Sequence, residues 1–247
     1  MAAAIIPATK AAHNRLTTYS LRVSAPTGAI MGQRLQRNGT AEPCGLPPGG
    51  GGAEFATVSN EYHFITTWRL EGTREEVAEV LRDPRDLPRW WPSVYLDVRV
   101  TTDGDARGVG RVAELLTKGW LPYTIRWRFT TTRNDGPHGL ALHADGDFVG
   151  EGVWTFRQDG AFVDAEYDWR IRAEKPLLKR LTWLLRPAFS ANHRWAMRKG
   201  EESMRLELAR RKLPGKQAQR VGAPPGPTFA WLLRSKRFAA SQGRLGV

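Results

Sequence analysis

Side chains able to move a proton or hold a metal are few and scattered in this 247-residue sequence, and that scarcity is the first constraint on function. Cysteine occurs once, at Cys44 in a Gly/Pro-rich stretch, so neither an intramolecular disulfide nor a thiolate zinc site can be built. His63, His138 and His143 fall on outward strand faces or in a turn, so no metal-ligand cluster assembles and no metal is expected. The glycines punctuate hairpins and form neither a phosphate loop nor a nucleophile elbow, so no cofactor is expected either. His193 stands in Ser190-Ala191-Asn192-His193-Arg194-Trp195 on a helical stretch, where it or Asn192 can present a polar group to a ligand. A helix-borne histidine without ligating neighbours is more often a surface or hydrogen-bonded residue. With Tyr123 and Tyr167 it completes the weak set available for proton transfer.

Aromatic rings are the second chemical resource. Period-two alternation puts Tyr62, Phe64 and Trp68, then Tyr123 and Trp127, then Trp154 and Phe156, then Tyr167 and Trp169, on inward strand faces. Trp90 and Trp91 arrive from short helices, Phe189 from the long one, and Trp120 lies in a loop, Lys118 to Pro122, placed to gate a mouth. So many wide rings suit either a solid aromatic core or walls held apart around a cavity. On the second reading the ligand-binding residues are Trp68, Trp90, Trp91, Trp120, Tyr123, Trp127, Trp154, Tyr167, Trp169, Phe189 and His193. The opposite faces carry Arg126, Arg128, Asp164, Glu166 and Asp168, which are expected to be solvated and paired across strands.

The elements that position these residues are read from periodicity and turn chemistry. Strands are predicted at 62–70, 94–102, 109–118, 123–133, 139–148, 152–158 and 162–172. The breaks after the second strand carry Asp103-Gly104, Lys118-Gly119, Asn134-Asp135-Gly136-Pro137, Gly150-Glu151-Gly152 and Asp159-Gly160, which are hairpin signals and imply an antiparallel meander. Thr73-Arg74-Glu75-Glu76 is a capping box that starts a short helix, and Asp83-Pro84 stops it. Pro88 and Pro92 bound a second short helical turn. Lys175-Pro176 opens a long helix that contains Pro187 and ends before Pro214.

The net charge of +12 is unevenly spread: residues 1–58, 59–213 and 214–247 carry excesses of +3, +3 and +6. The central domain is thus only mildly basic and lacks an Arg/Lys-rich reading helix, so nucleic acid is not an expected partner. Residues 1–58 end in Pro-Pro-Gly-Gly-Gly-Gly and are read as a disordered tail, residues 59–213 as one domain, and residues 214–247 as a basic, mostly disordered tail. The Arg-bearing, acid-free start is shared by transit peptides and by plain flexible tails. Nothing reads as a membrane span, and the lone thiol suits a reducing cytoplasm. Thr228 to Phe238 is short, basic and aromatic, which suits peripheral contact with an anionic membrane, or a loose tail. Oligomeric state is not legible.

The order of parts, strand, two short helices, six-stranded meander, long helix, resembles the START-like superfamily, the polyketide cyclase/dehydrase and lipid-transport group. The resemblance is carried by Glu75 to Pro84 followed by Arg89-Trp90-Trp91-Pro92, by Asp147-Phe148-Val149-Gly150-Glu151-Gly152-Val153-Trp154, and by Asn192-His193-Arg194-Trp195-Ala196-Met197. It implies an α+β helix-grip fold, a seven-stranded curved antiparallel sheet wrapped on the last helix. It also implies binding of an apolar small molecule, lipid, polyketide or other ring compound, in a tunnel between them. The alternative it carries is an aromatase/cyclase-like enzyme using Tyr123, Tyr167 or His193.

Overall fold

Alternation in the sequence becomes a single twisted antiparallel sheet. The computed structural model describes residues 19–21, 61–174 and 182–233. Its strands are β1 (Tyr19–Leu21), β2 (Glu61–Glu71), β3 (Tyr95–Thr102), β4 (Val112–Lys118), β5 (Thr124–Asn134), β6 (Gly139–Gly146), β7 (Phe148–Asp159) and β8 (Phe162–Ala173). They lie in the order β1-β2-β8-β7-β6-β5-β4-β3. Strands β3 to β8 are the meander, and β2 closes it by pairing with β8 from Glu61↔Arg172 to Glu71↔Phe162. The register shifts at Tyr95/Asp97, Val100/Thr102 and Thr131/Arg133, and breaks of this kind in a ladder bend a sheet and increase its twist.

Short described stretches of both tails carry structure. The stretch expected to lack structure at the N-terminus contributes β1, which pairs Tyr19↔Thr66 to Leu21↔Phe64 on the outer edge of β2. That edge otherwise presents an unpaired row of N–H and C=O groups. At the other end, residues 214–233 are laid against the domain, with 3-10 turns at Gly215–Arg220 and Ala230–Leu233. Arg210 donates to the Gly222 carbonyl (3.1 Å), and Lys118 Nζ donates to the carbonyl (2.5 Å) and hydroxyl of Thr228. Backbone groups engaged in this way hold a chain that composition alone leaves loose.

Helix α1 (Arg74–Leu81) starts at the predicted capping box: Thr73 Oγ1 accepts from Glu76 N at 3.2 Å, and the Glu76 carboxylate accepts from Thr73 N at 2.9 Å. A 3-10 turn at Pro84–Asp86 leads into α2 (Leu87–Trp90). The long helix α3 (Thr182–Lys212) contains Pro187; its predicted start at Lys175-Pro176 lies outside the described residues.

The second half of α3 is packed solid. A Cβ at Gly200 would stand 2.3 Å from Trp91 Cζ2 and 2.7 Å from Trp68 Cζ2, so the missing side chain is what lets two indoles reach the helix. Trp68, Trp90, Leu70, Val77, Val80 and Met204 are fully buried around that contact. Beside it, Glu207 is 2% exposed and accepts from both Nη atoms of Arg89 (2.9 Å each), from Arg210 Nη1 (2.7 Å) and from Arg211 Nε (2.8 Å). Desolvation alone would raise its pKa; the hydrogen bonds from the three guanidinium groups outweigh it and hold the carboxyl at about 2. This clamp ties α2 to the end of α3.

The outward faces pair as ladders, but with different partners from those expected. Asp164 takes Arg69 (2.8 Å), Asp168 takes His63 (2.9 Å) and Arg170 (2.9 Å), and Arg128 takes Asp145 (3.6 Å). Strands β5 and β8 are separated by β6 and β7, so Arg126 and Arg128 have no cross-strand route to the β8 acids.

Candidate functional site

Toward the first half of α3, sheet and helix part around an internal cavity of about 180 Å³. Its sheet wall is aromatic. Trp154 and Tyr167 stack with centroids 4.4 Å apart, Tyr167 and Trp169 at 5.5 Å, and Trp169 meets Trp127 at 5.7 Å, so four rings from β7, β8 and β5 form one surface. Phe64, Trp91 and Tyr95 border the same space, and α3 closes it with Phe189, Asn192, His193, Ala196 and Met197.

The predicted ligand-facing residues divide. Trp91, Trp127, Trp154, Tyr167, Trp169, Phe189 and His193 border the cavity. Trp68 is wedged between Trp91 (5.5 Å) and Trp154 (4.9 Å), and Trp90 packs on Trp91 (5.5 Å); both are core. Tyr123 lies behind Phe189 at 6.5 Å, and Trp120 is 39% exposed in its loop. Period two identifies a face, whereas depth along the helix decides whether that face meets a helix or a space.

Polar groups inside are more numerous than alternation suggested. His193 stacks on Phe64 at 4.1 Å, and its Nε2 is sealed from solvent without a hydrogen-bond partner among the described residues. Desolvation lowers its pKa to about 3, so the imidazole is neutral over the physiological range. The Tyr167 phenol is pushed well up by burial, then by Tyr95 and Asp168, and burial likewise pushes up Tyr95. The Thr117 hydroxyl accepts from Trp127 Nε1 (3.0 Å) and donates to the Ile125 carbonyl (3.4 Å). Asn192 Oδ1 accepts from Trp120 N at 2.8 Å, and a Cβ at Gly119 would stand 2.0 Å from that oxygen, so glycine lets the loop close on the helix.

Three polar residues were missed. Tyr95 begins an edge strand with weak alternation. Lys118 alternates onto the face opposite Thr117; it is 2% exposed, and desolvation lowers its pKa to about 8. Its acceptor, Thr228, lies 110 residues away, in a tail with no readable structure. Arg111 shares the inward phase of Ala113, Leu115 and Thr117 and lines the cavity near α1. That phase was legible, but a cation just after a Gly-Val-Gly break reads as solvent-facing.

No protein-family model matches this sequence, and no curated protein does. Solved structures do match. The Zhui aromatase/cyclase from a Streptomyces species is 16% identical, with a TM-score of 0.50 over 62% of this chain and 96% of that one. A protein from Thermus thermophilus is 16% identical, with a TM-score of 0.48 over 57% of this chain and 96% of the other. A STAR-related lipid transfer protein from Xanthomonas axonopodis is 16% identical, with a TM-score of 0.41 over 62% and 88%. At such identities the likeness speaks for the fold alone: the chain has an α+β helix-grip architecture, a curved antiparallel sheet with a long C-terminal helix, like that of the Zhui aromatase/cyclase. No helix among the described residues is long and apolar enough to cross a membrane.

Proposed function

We propose that this protein binds or carries an apolar, ring-containing or lipid-like small molecule between its sheet and α3. The observation that carries the reading is the cavity itself, about 180 Å³ bounded by the Trp154–Tyr167–Trp169–Trp127 wall and the first half of α3. A ligand held against such a wall gains roughly 25 cal/mol per Å² of apolar surface removed from water. That volume equals roughly six water molecules, so a ligand of one or two rings, or a short chain, fits without rearrangement. Native mass spectrometry of protein purified without added ligand should reveal a retained hydrophobic compound. Ala196→Phe, which drives a phenyl ring into the cavity from α3, should abolish retention while leaving the melting temperature within a few degrees. Protein that carries nothing and takes up no aromatic probe would remove the reading.

An aromatase/cyclase-like activity is the second reading, favoured by Tyr167 and His193 bordering the cavity. Their charge states favour carriage: a phenol pushed well up and an imidazole at about 3 form hydrogen bonds near neutral pH but exchange protons poorly. Turnover of a polyketide lost in both His193→Ala and Tyr167→Phe, with folding intact, would reverse this preference. Peripheral membrane contact is the third: Phe229 and Trp231 are 45% and 72% exposed, next to Thr228, whose hydroxyl donates to the Trp120 carbonyl at 3.2 Å. Flotation with anionic liposomes that is lost in Trp231→Ser would support it.

A further inference from the structure

The end of the cavity nearest α1 differs from the rest. Arg111 is the last residue before β4, on the inward face, and its backbone carbonyl accepts from Thr131 N on β5 at 2.9 Å. Thr131 has the inward phase of Ile125, Trp127 and Phe129, so a cationic and a hydroxyl residue, paired through their backbones, both line the cavity where the aromatic wall ends.

The guanidinium is held in place. Its Nη1 donates to the Arg82 carbonyl at 2.6 Å and its Nε to the Asp103 carbonyl at 3.1 Å. Gly108, at φ +79, lets the plane lie close: a Cβ there would be 3.2 Å from Arg111 Cζ. Both bonds go to neutral carbonyls, and among the described residues no carboxylate stands within ion-pair distance of Arg111, although its charge adds, after Arg85, to holding the Asp103 carboxyl below its ordinary value. The acids of the same loop face other partners. Asp103 binds Arg85 at 2.6 Å, and Asp105 accepts from the N–H groups of Arg107 (2.9 Å) and Val109 (2.8 Å). Arg107 borders this end as well and adds a second positive charge. A guanidinium has five N–H donors in a planar fork; backbone carbonyls engage Nη1 and Nε here, and Nη2 has no hydrogen-bond partner among the described residues.

We infer that the ligand carries an acidic headgroup, a carboxylate or an equivalent anion, received by Arg111 and the Thr131 hydroxyl while its apolar body lies along the aromatic wall. This deepens the proposed function and rests on it. A charge-assisted hydrogen bond is about twice as strong as a neutral one, so the acid and its neutral isostere should be told apart by about tenfold or more.

The test is titration calorimetry of the full chain with naphthoic acid and with naphthamide, which match in shape and differ in charge. Wild-type protein is expected to bind the acid at least about tenfold more tightly. Arg111→Met should bring the two affinities within about twofold by weakening the acid alone, and Thr131→Val should weaken the acid by a smaller factor. A wild-type preference under about threefold, or a preference that survives Arg111→Met, overturns the inference and leaves the apolar-cavity reading standing wherever naphthamide still binds. If neither compound binds, both fall. Should Arg111→Met not fold, Arg111→Lys reads the same point: it keeps the charge and loses the fork, so an undiminished acid preference there, joined to an unchanged one in Thr131→Val, overturns the assignment.

Discussion

Neutralising Glu207 tests the strongest electrostatic feature of the fold. This carboxylate is nearly inaccessible and accepts four hydrogen bonds from Arg89, Arg210 and Arg211. A pKa lowered from the ordinary 4.5 to about 2 corresponds to about 3 kcal/mol of folded-state preference for the charged form. Because the folded pKa is the depressed one, this stabilisation is complete above about pH 4.5 and is lost as the pH falls toward 2; by pH 3 about 2 kcal/mol of it is gone. Glu207→Gln should therefore unfold in urea with a free energy about 3 kcal/mol lower at pH 7, since three guanidinium groups lose their shared anion. The gap to wild type should shrink to about 1 kcal/mol at pH 3. Comparing the two proteins at each pH cancels the titration of every other carboxylate. Arg89→Met, which leaves Arg210 and Arg211 in position, should cost less. A Glu207→Gln penalty below about 0.5 kcal/mol at pH 7, or a gap that does not move between pH 7 and pH 3, would refute the clamp.

Two further outcomes follow from packing. Gly200→Ala sets a methyl against the rings of Trp91 and Trp68, neither able to yield in a filled core, and should lower stability by about 1–3 kcal/mol in thermal denaturation. His193→Phe keeps the stack on Phe64 and removes a sealed, unpartnered nitrogen. With a folded pKa of about 3 against an ordinary 6.5, the histidine adds no titration cost above about pH 6.5, but as the pH falls the unfolded chain alone takes up its proton, and about 2 kcal/mol of stability is lost by about pH 5. The phenylalanine variant should be more stable in urea at pH 7 and should lack that acid-side decline.

The sheet was legible because its two faces meet different media: Tyr167, Trp169 and Ile171 could be sorted from Asp168 and Arg170 without coordinates. The capping box of α1 is equally local, and it formed as read. What the sequence withheld depends on distance along the third dimension. Trp68 and Trp154 have the same inward phase, yet one is sealed beneath Gly200 and the other borders a cavity, because a glycine on α3 draws the helix in at one level only. Lys118 and Thr228 meet across 110 residues, through backbone contacts that composition does not encode. Arg111 had the inward phase all along; its positive charge argued for water, and the loop carbonyls that hold it could not be foreseen.

The pairing of β2 with β8 has a consequence for synthesis. During translation β2 emerges first, but its main ladder partner follows about a hundred residues later, so the nascent chain must carry Phe64, Trp68 and Leu70 unsheltered until Ala173 has left the ribosome. Growth temperature and chaperone supply should therefore govern yield more than the stability of the finished molecule does.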